Sequence, residues 1–374
     1  DTWGRGDWGR TRSLHGLPCG ERRAGRPCRD AHNLRSLGRF TGSAGSLVVG
    51  AGKRVVLGDG RYTEQARAEV QGARIGSGRK GPWAAVAAWL SAKRLSTQPK
   101  SRRAASPARV GIEGEHMTVA ARSRLGGLLP AGLRLREAPA LIEQARMVKD
   151  EDEIACLRSA VNLGSRLFDR ALETIRPGVR EIEVAAEMEY AARKRGAEAM
   201  SFDTIIASGA RSALPHGRAS QAIIPGEGFV VCDFGVILAG YCSDMTRTVY
   251  VGRPSAEVRG VYQAVQQAQQ AAVEVVKPGI EVREVDRAAR KSLQYSGLAK
   301  YFTHSTGHGV GLEIHEAPRL AAGQTEILKP GMVITIEPGV YVPGKWGVRI
   351  EDMVVVTERG CEVLTPTSKQ LVAI

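Results

Sequence analysis

Four acidic residues recur at matched positions in two similar stretches of the chain. Asp233 closes the apolar run Phe229 to Asp233, and Glu337 closes the run Val333 to Glu337. Asp244 and Glu351 stand at equivalent places in the runs that return, Tyr241 to Val249 and Val348 to Val356. A hairpin with a tight turn near Leu238 and Ala239 sets Asp233 roughly opposite Asp244, at the ~5 Å of cross-strand neighbours. Two carboxylates among Val, Phe, Cys and Met repel each other, and one hairpin alone could relieve this by protonation or by pairing with an arginine such as Arg247. Four acids, two from each stretch, are held most stably by two divalent cations, with room left for a bridging hydroxide. An oxygen-rich donor set with a little imidazole favours Mn²⁺, with Co²⁺ and Zn²⁺ as alternatives.

The imidazole comes from the stretch Thr303 to His315, which places His304, His308 and His315 within twelve positions; the chain has seven histidines. His216 lies apart from them, in Leu214-Pro215-His216-Gly217. The spacing of His304 and His308 suits a helical zinc site. However, Gly307, Gly309 and Gly311 and the absence of Glu after the first His argue against the helical metalloprotease motif. A Gly-rich extended segment that brings backbone and rings close to a substrate fits better.

The elements that must position these residues also repeat. Ile175-Arg-Pro-Gly-Val179 precedes a helical pattern over Glu181–Arg195, and Val276-Lys-Pro-Gly-Ile280 precedes a similar one over Val282–Tyr295. Ile224-Pro-Gly and Lys329-Pro-Gly each lead into an apolar strand. Two helix-plus-hairpin halves related by a pseudo-twofold axis follow. A long helical pattern from Asp150 to Ile175 precedes them. Upstream, the runs Leu47-Val48-Val49 and Val55-Val56-Leu57 signal a hairpin, Pro82–Leu95 and Val119–Leu129 read as helices, and Val110–Ile112 and Leu133–Leu135 as strands. The fold class is α+β: a smaller α/β domain over 1–138, then a repeated catalytic domain over 139–374.

The chain has 374 residues, 43% hydrophobic and 25% charged, which excludes a mostly disordered or fibrous protein. Its net charge of +14 lies wholly upstream: residues 1–140 hold 26 basic against 10 acidic residues, and residues 141–374 hold 27 against 29. The basic stretch Lys93 to Arg109 reads as a solvated loop, and with aromatic residues at 5% base-stacking platforms are scarce, so specific nucleic-acid binding is not expected. No apolar run is long enough to span a bilayer, and the six cysteines form no C-x-x-C pair, which points to a reduced, cytoplasmic protein. Cys232 and Cys242 flank the acids as small core residues. Gly76-Ser-Gly-Arg-Lys-Gly81 matches a dinucleotide fingerprint, but no Asp or Glu lies between Glu69 and Glu113 to bind a ribose, so it reads as a flexible turn.

These motifs resemble the pita-bread metallopeptidases, in their proline-specific branch of Xaa-Pro aminopeptidases and Xaa-Pro dipeptidases. The segments Asp233-Phe-Gly, Cys242-Ser-Asp244-Met-Thr-Arg, Gly307-His308-Gly-Val-Gly, Ile336-Glu337-Pro-Gly and Arg349-Ile-Glu351-Asp resemble the five ligand segments of that family, in order. Ser208-Gly-Ala-Arg-Ser-Ala-Leu-Pro-His216-Gly resembles its first histidine segment; Phe40-Thr-Gly-Ser-Ala-Gly and Asp59-Gly-Arg-Tyr62 resemble a creatinase-like N-terminal domain. The resemblance implies that Asp233, Asp244, His308, Glu337 and Glu351 hold two metal ions, with Asp244 and Glu351 bridging. It implies that His315 binds substrate and stabilises the oxyanion, that His216 and His304 line the pocket, that Arg349 supports the bridging acids and that Glu337 shuttles a proton. The substrates implied are peptides with proline second, cleaved by a homo-oligomer such as a dimer, away from membranes. Methionine aminopeptidase-like activity and a non-catalytic binding module on the same fold are the alternatives. Residues 1–35, rich in Gly and Arg, supply neither the apolar strand nor the helix with which such domains open, and the chain begins at Asp1, which fits a truncated or altered start.

Overall fold

The computed structural model describes residues 23–50, 53–58, 60–77, 81–97 and 108–374. It divides into two units, Asp1–Arg146 and Met147–Ile374. The first unit is built on strands β1 (Arg23–Cys28), β2 (Gly45–Gly50), β3 (Lys53–Gly58), β4 (Arg74–Ser77), β5 (Ala108–Glu113) and β6 (Leu133–Ala138). They form one sheet in the order β4-β3-β2-β1-β5-β6. Because side chains alternate across a strand, β2 and β3 supply two cores at once. Val48, Val55 and Leu57 pack with Val86 and Leu90 of the helix Pro82–Thr97 and with Leu125 of the helix Val119–Leu128. Leu47 and Val56 pack on the opposite face with Leu34 and Leu37 of the helix Ala31–Gly38.

The opening of this unit corrects the sequence reading, since a strand lies within residues 1–35 and a helix begins there. β1 needs no apolar run of its own, because it lies inside the sheet and is paired with β2 on one side and β5 on the other. The helix Ala31–Gly38 is started by the Asp30 side chain, which accepts from Asn33 N at 2.8 Å, and is held by the buried Leu34 and Leu37. Residues 1–22 lie outside the described residues. So do residues 98–107 of the basic stretch, whose first part continues a helix to Thr97, and residues 78–80 of the Gly76–Gly81 segment.

The second unit carries the repeat. Its first half contains helices Glu151–Thr174 and Glu181–Lys194, then β7 (Ala199–Met200), β8 (Ile205–Ser208), β9 (Gly228–Phe234), β10 (Val236–Leu238), β11 (Tyr241–Cys242) and β12 (Met245–Val251). Its second half contains helices Ala256–Val275 and Val282–Tyr295, then β13 (Gly307–Gly309), β14 (Glu316–Leu320), β15 (Val333–Ile336), β16 (Gly339–Val342), β17 (Trp346–Arg349), β18 (Asp352–Val356) and β19 (Cys361–Val363). Asp150 caps the first long helix through a reciprocal box with Glu153. The first half encloses Leu167, Met188, Val230 and Val249; the second encloses Val265, Leu293, Ile334 and Val354. Helices against an antiparallel ribbon, twice over, give the α+β architecture. No helix among the described residues is long and apolar enough to cross a membrane.

The ribbons are not the unbroken hairpins that the sequence suggests. Each expected returning run is split, with Asp244 between β11 and β12 and Glu351 between β17 and β18. The first turn also lies one residue further on than expected. Ala239 and Gly240 take its centre with φ of 50° and 78°, a left-handed pair suited to a two-residue hairpin. Asp233 therefore faces Thr246, and Asp244 falls two positions away on the same strand side. In the second ribbon Ile336 pairs with Asp352 and Gly339 with Arg349, so the intervening register sets Glu337 across from Glu351.

Candidate metal centre

The two ribbons meet along β12 and β17. Thr248 Oγ1 donates to the Arg349 carbonyl at 2.8 Å, and Glu351 N donates to the Thr246 carbonyl at 3.1 Å. Within each half, close approach of neighbouring strands is made possible by glycine. A Cβ on Gly235 would lie 1.8 Å from the Ser243 carbonyl oxygen, and one on Gly307 would lie 1.9 Å from that of Thr335. Ribbons packed this tightly bring Asp244, His308 and Glu351 together, with one ligand atom from each lying within 4.8 Å of the others.

Glu337 and Asp233 complete the surroundings. His308 Nε2 lies 3.6 Å from Asp244 Oδ2 and 3.5 Å from Glu337 Oε1. Its other nitrogen, Nδ1, sits 2.9 Å from the Gly309 carbonyl oxygen, which can only accept, so Nδ1 carries the proton. Burial lowers the ring's pKa to about 4, so it is neutral near pH 7 and turns a bare lone pair toward two carboxylates. Asp233 Oδ2 accepts from Arg349 Nη2 at 2.5 Å, whereas its Oδ1 is buried with no hydrogen-bond partner. Thr246 Oγ1 donates to Glu351 Oε2 at 2.7 Å.

The electrostatics of this cluster are repulsive. Burial, then the charges of Glu351, Asp233 and Glu337, push Asp244 well above the usual carboxylate range. Burial, then Glu337 and Asp233, do the same to Glu351. Burial raises Glu337 to about 7 against the pull of Arg349. An unpartnered carboxylate oxygen, a lone pair aimed at carboxylates and acids raised by one another are all relieved by cations placed among them. The residues present fit divalent metal.

Arg247 is not the arginine that relieves these acids. It is fully buried and pairs with Asp352 at 2.7 Å, which also accepts from Gln269 and Lys369. The arginine on Asp233 is Arg349, whose Nη1 also reaches Tyr341 Oη at 2.5 Å and the Pro215 carbonyl at 3.1 Å. Cys232 and Cys242 are buried thiols pushed up to about 12, chiefly by burial.

The three other candidate histidines, His216, His304 and His315, lie near this cluster. His315 is exposed on the turn before β14, its ring 4.4 Å from that of His308. His304 is partly buried, with Nε2 2.9 Å from Tyr341 Oη, and burial followed by the Arg349 charge lowers it to about 4. His216 is exposed at the tip of the segment anchored through Pro215 to Arg349, and its charge bears on both His304 and His315. The stretch around His304 and His308 is extended, as its glycines suggested, with His308 on β13. Sequence reasoning missed Tyr341 and Thr246. Tyr341 links Arg349 to His304, and Thr246 joins Glu351 to Arg349 Nε at 3.1 Å. Thr246 lies two residues beyond Asp244 on the same strand face, a signal that was readable.

A duplicated ribbon that gathers acids and one imidazole at its crossing is the framework of a metal-dependent hydrolase of the pita-bread type. Residues 155–358 match the model of metallopeptidase family M24, and residues 30–148 match that of the creatinase/prolidase N-terminal domain. The chain belongs to metallopeptidase family M24. It is 39% identical to an uncharacterized peptidase of Bacillus subtilis over 91% of this chain and 93% of that one. It is 48% identical to an Xaa-Pro dipeptidase of Pyrococcus furiosus over 62% of this chain and 66% of that one. Among solved structures, an Xaa-Pro dipeptidase from Bacillus anthracis superposes with a TM-score of 0.88 at 39% identity, covering 98% of both chains.

Proposed function

We propose that this chain is an exopeptidase that hydrolyses the bond between an N-terminal residue and a following proline. The observation that carries the reading is the convergence of Asp244, His308 and Glu351 within 4.8 Å, beside the unpartnered Asp233 oxygen. Xaa-Pro dipeptidase relatives that match along the chain support the substrate class.

Asp233, Asp244, His308, Glu337 and Glu351 would hold two divalent ions, with Asp244 and Glu351 shared between them. Manganese suits this oxygen-dominated set best, and cobalt or zinc are the other ions it accommodates. When bound, such a pair supplies Lewis acidity and activates a water for attack on the scissile carbonyl.

The protein's own groups do the rest. Glu337, whose Oε1 lies 3.5 Å from His308 Nε2 at the edge of the cluster, takes the proton of the attacking water and passes it to the departing proline nitrogen. The His315 ring lies beside that of His308, with its pKa lowered by partial burial and then by His216, and it offers a ring N–H to the oxygen that gains charge. His304 and His216 offer ring contacts where an ordinary peptide would present a backbone N–H that proline lacks. Arg349 neutralises Asp233 and fixes its orientation from behind.

The test is an assay of purified protein with added Mn²⁺ on Ala-Pro, Ala-Pro-Ala and Met-Ala. Cleavage of either proline peptide, and not of Met-Ala, supports the reading. Comparable cleavage of Met-Ala-type peptides identifies a methionine aminopeptidase instead, and inertness toward all three under metal loading identifies a binding module.

A further inference from the structure

A carboxylate outside the metal cluster is more completely buried than any of the acids within it. Glu181, the first residue of its helix, is 0% exposed. Its Oε1 accepts from Ser208 N at 2.8 Å and Ser208 Oγ at 2.9 Å, and its Oε2 accepts from Arg211 Nε at 3.0 Å and Ser220 Oγ at 2.7 Å. These donors lie on both sides of His216. Arg211 Nη2 then reaches across to the Arg218 carbonyl at 2.9 Å, closing the loop on itself.

A fully buried carboxylate is a costly way to add stability, because its desolvation consumes most of the attraction to a partner. An apolar staple would hold a surface loop as well. What a carboxylate with four directional donors adds is a single geometry for the chain between them. That chain carries His216 at its tip, and its Pro215 carbonyl accepts from the same Arg349 that holds Asp233. Glu181 is therefore tied, through the loop, to both the exposed ring and the acid cluster.

The second half of the repeat uses the same device. Asp286, also buried in the first turns of a helix, accepts from Arg290 Nε and Thr306 Oγ1, each at 2.8 Å. Arg290 donates onward to the carbonyls of Phe302 and His304 at 3.0 and 2.6 Å. In each half a buried helical acid, paired with an arginine, fixes the segment that bears a pocket histidine.

We propose that Glu181 is a positioning residue that sets His216 against the substrate, acting through Ser208, Arg211 and Ser220 and without touching substrate or metal. The proposal rests on the Xaa-Pro exopeptidase reading. In Glu181→Gln the amide nitrogen replaces one of the two oxygens and faces either the Ser208 N–H or the Arg211 Nε–H, neither of which can accept, so the loop loses its single geometry while side-chain volume is kept.

The experiment measures kcat and KM for Ala-Pro, with Mn²⁺ content, for the wild type, Glu181→Gln, His216→Ala and the double variant. Glu181→Gln is expected to raise KM about tenfold, with kcat within about threefold and bound Mn²⁺ unchanged. In the His216→Ala background the same substitution should change KM less than about twofold, because the group it positions is gone. Effects that multiply in the double variant, an unchanged KM in Glu181→Gln, or metal lost in parallel would each overturn the proposal. Should Glu181→Gln not fold, Ser220→Ala removes one donor from the same carboxylate and is read by the same cycle. A wild-type protein inert toward Ala-Pro sinks the exopeptidase reading itself, whereas an active wild type with a multiplicative cycle sinks only the positioning role.

Discussion

Arg349 Nη2 donates to Asp233 Oδ2 at 2.5 Å, joining residues that are 116 positions apart and belong to opposite halves of the repeat. Through the same guanidinium Asp233 is tied to Tyr341, Thr246 and Pro215. One oxygen of Asp233 is thus fully engaged, and the other is left to face the cluster. Arg349→Lys keeps the charge but cannot make these contacts together. It should lower kcat/KM for Ala-Pro by about 10- to 100-fold, with weaker metal binding. Steady-state kinetics over a Mn²⁺ titration check this, and wild-type constants at every concentration would count against it.

Asp244→Ala and Glu351→Ala should each abolish turnover, since each removes a donor shared by the cluster. The same substitutions relieve the repulsion that raises their neighbours, so the metal-free variants should melt above the metal-free wild type. Calorimetry in chelator together with an Ala-Pro assay separates the two effects. Full turnover by either purified variant refutes the assignment.

The metal-free protein should lose stability as pH rises above about 6.5. Glu337 is raised from an ordinary 4.5 to about 7, and Asp244 and Glu351 are raised well above the usual range, so the folded state holds protons that the unfolded chain has released. Stability falls with pH wherever that holds, by about 1.4 kcal/mol per pH unit for each retained proton. His304 and His308, lowered from 6.5 to about 4, and His315, also lowered, act in the opposite direction, mostly below 6.5. Above 6.5 each unfolded ring holds less than half a proton, fewer in sum than the three acids retain, so the acids decide the sign. Denaturant melts in chelator at pH 6.5 and 8 read this directly, and equal midpoints would contradict it.

Tyr341→Phe removes the hydroxyl shared by Arg349 and His304. The ring is buried, so volume is kept and stability should fall by only about 1–2 kcal/mol, while His304 loses its fixed rotation. The expected outcome is a severalfold rise in KM for Ala-Pro with metal content intact, measured by kinetics and elemental analysis.

The repeat made much of the second unit legible. Matched Pro-Gly turns and apolar runs fixed where the helices Glu181–Lys194 and Val282–Tyr295 and the strands β9 and β15 fall. The register around Asp233 was misjudged because it depends on which two residues take left-handed φ. Ala239 shows no sign of that role in its side chain, and only Gly240 beside it does. β1 and the helix after it were hidden because their stability comes from neighbours: backbone pairing on both edges of β1, and two leucines that meet Leu47 and Val56. Arg247 was matched to the wrong acid because spacing along one strand cannot reveal Asp352 on the other half. Tyr341 was overlooked for the same reason. Its importance lies in two partners, 8 and 37 positions away, and not in any local pattern.

The most direct measurement of the central claim is the Mn²⁺ content of protein stripped with chelator and reloaded, compared with its recovered Ala-Pro hydrolysis. The account predicts two ions per chain and activity that returns as both are taken up. Retention of fewer than two ions at full activity, or activity that survives chelation, would contradict it.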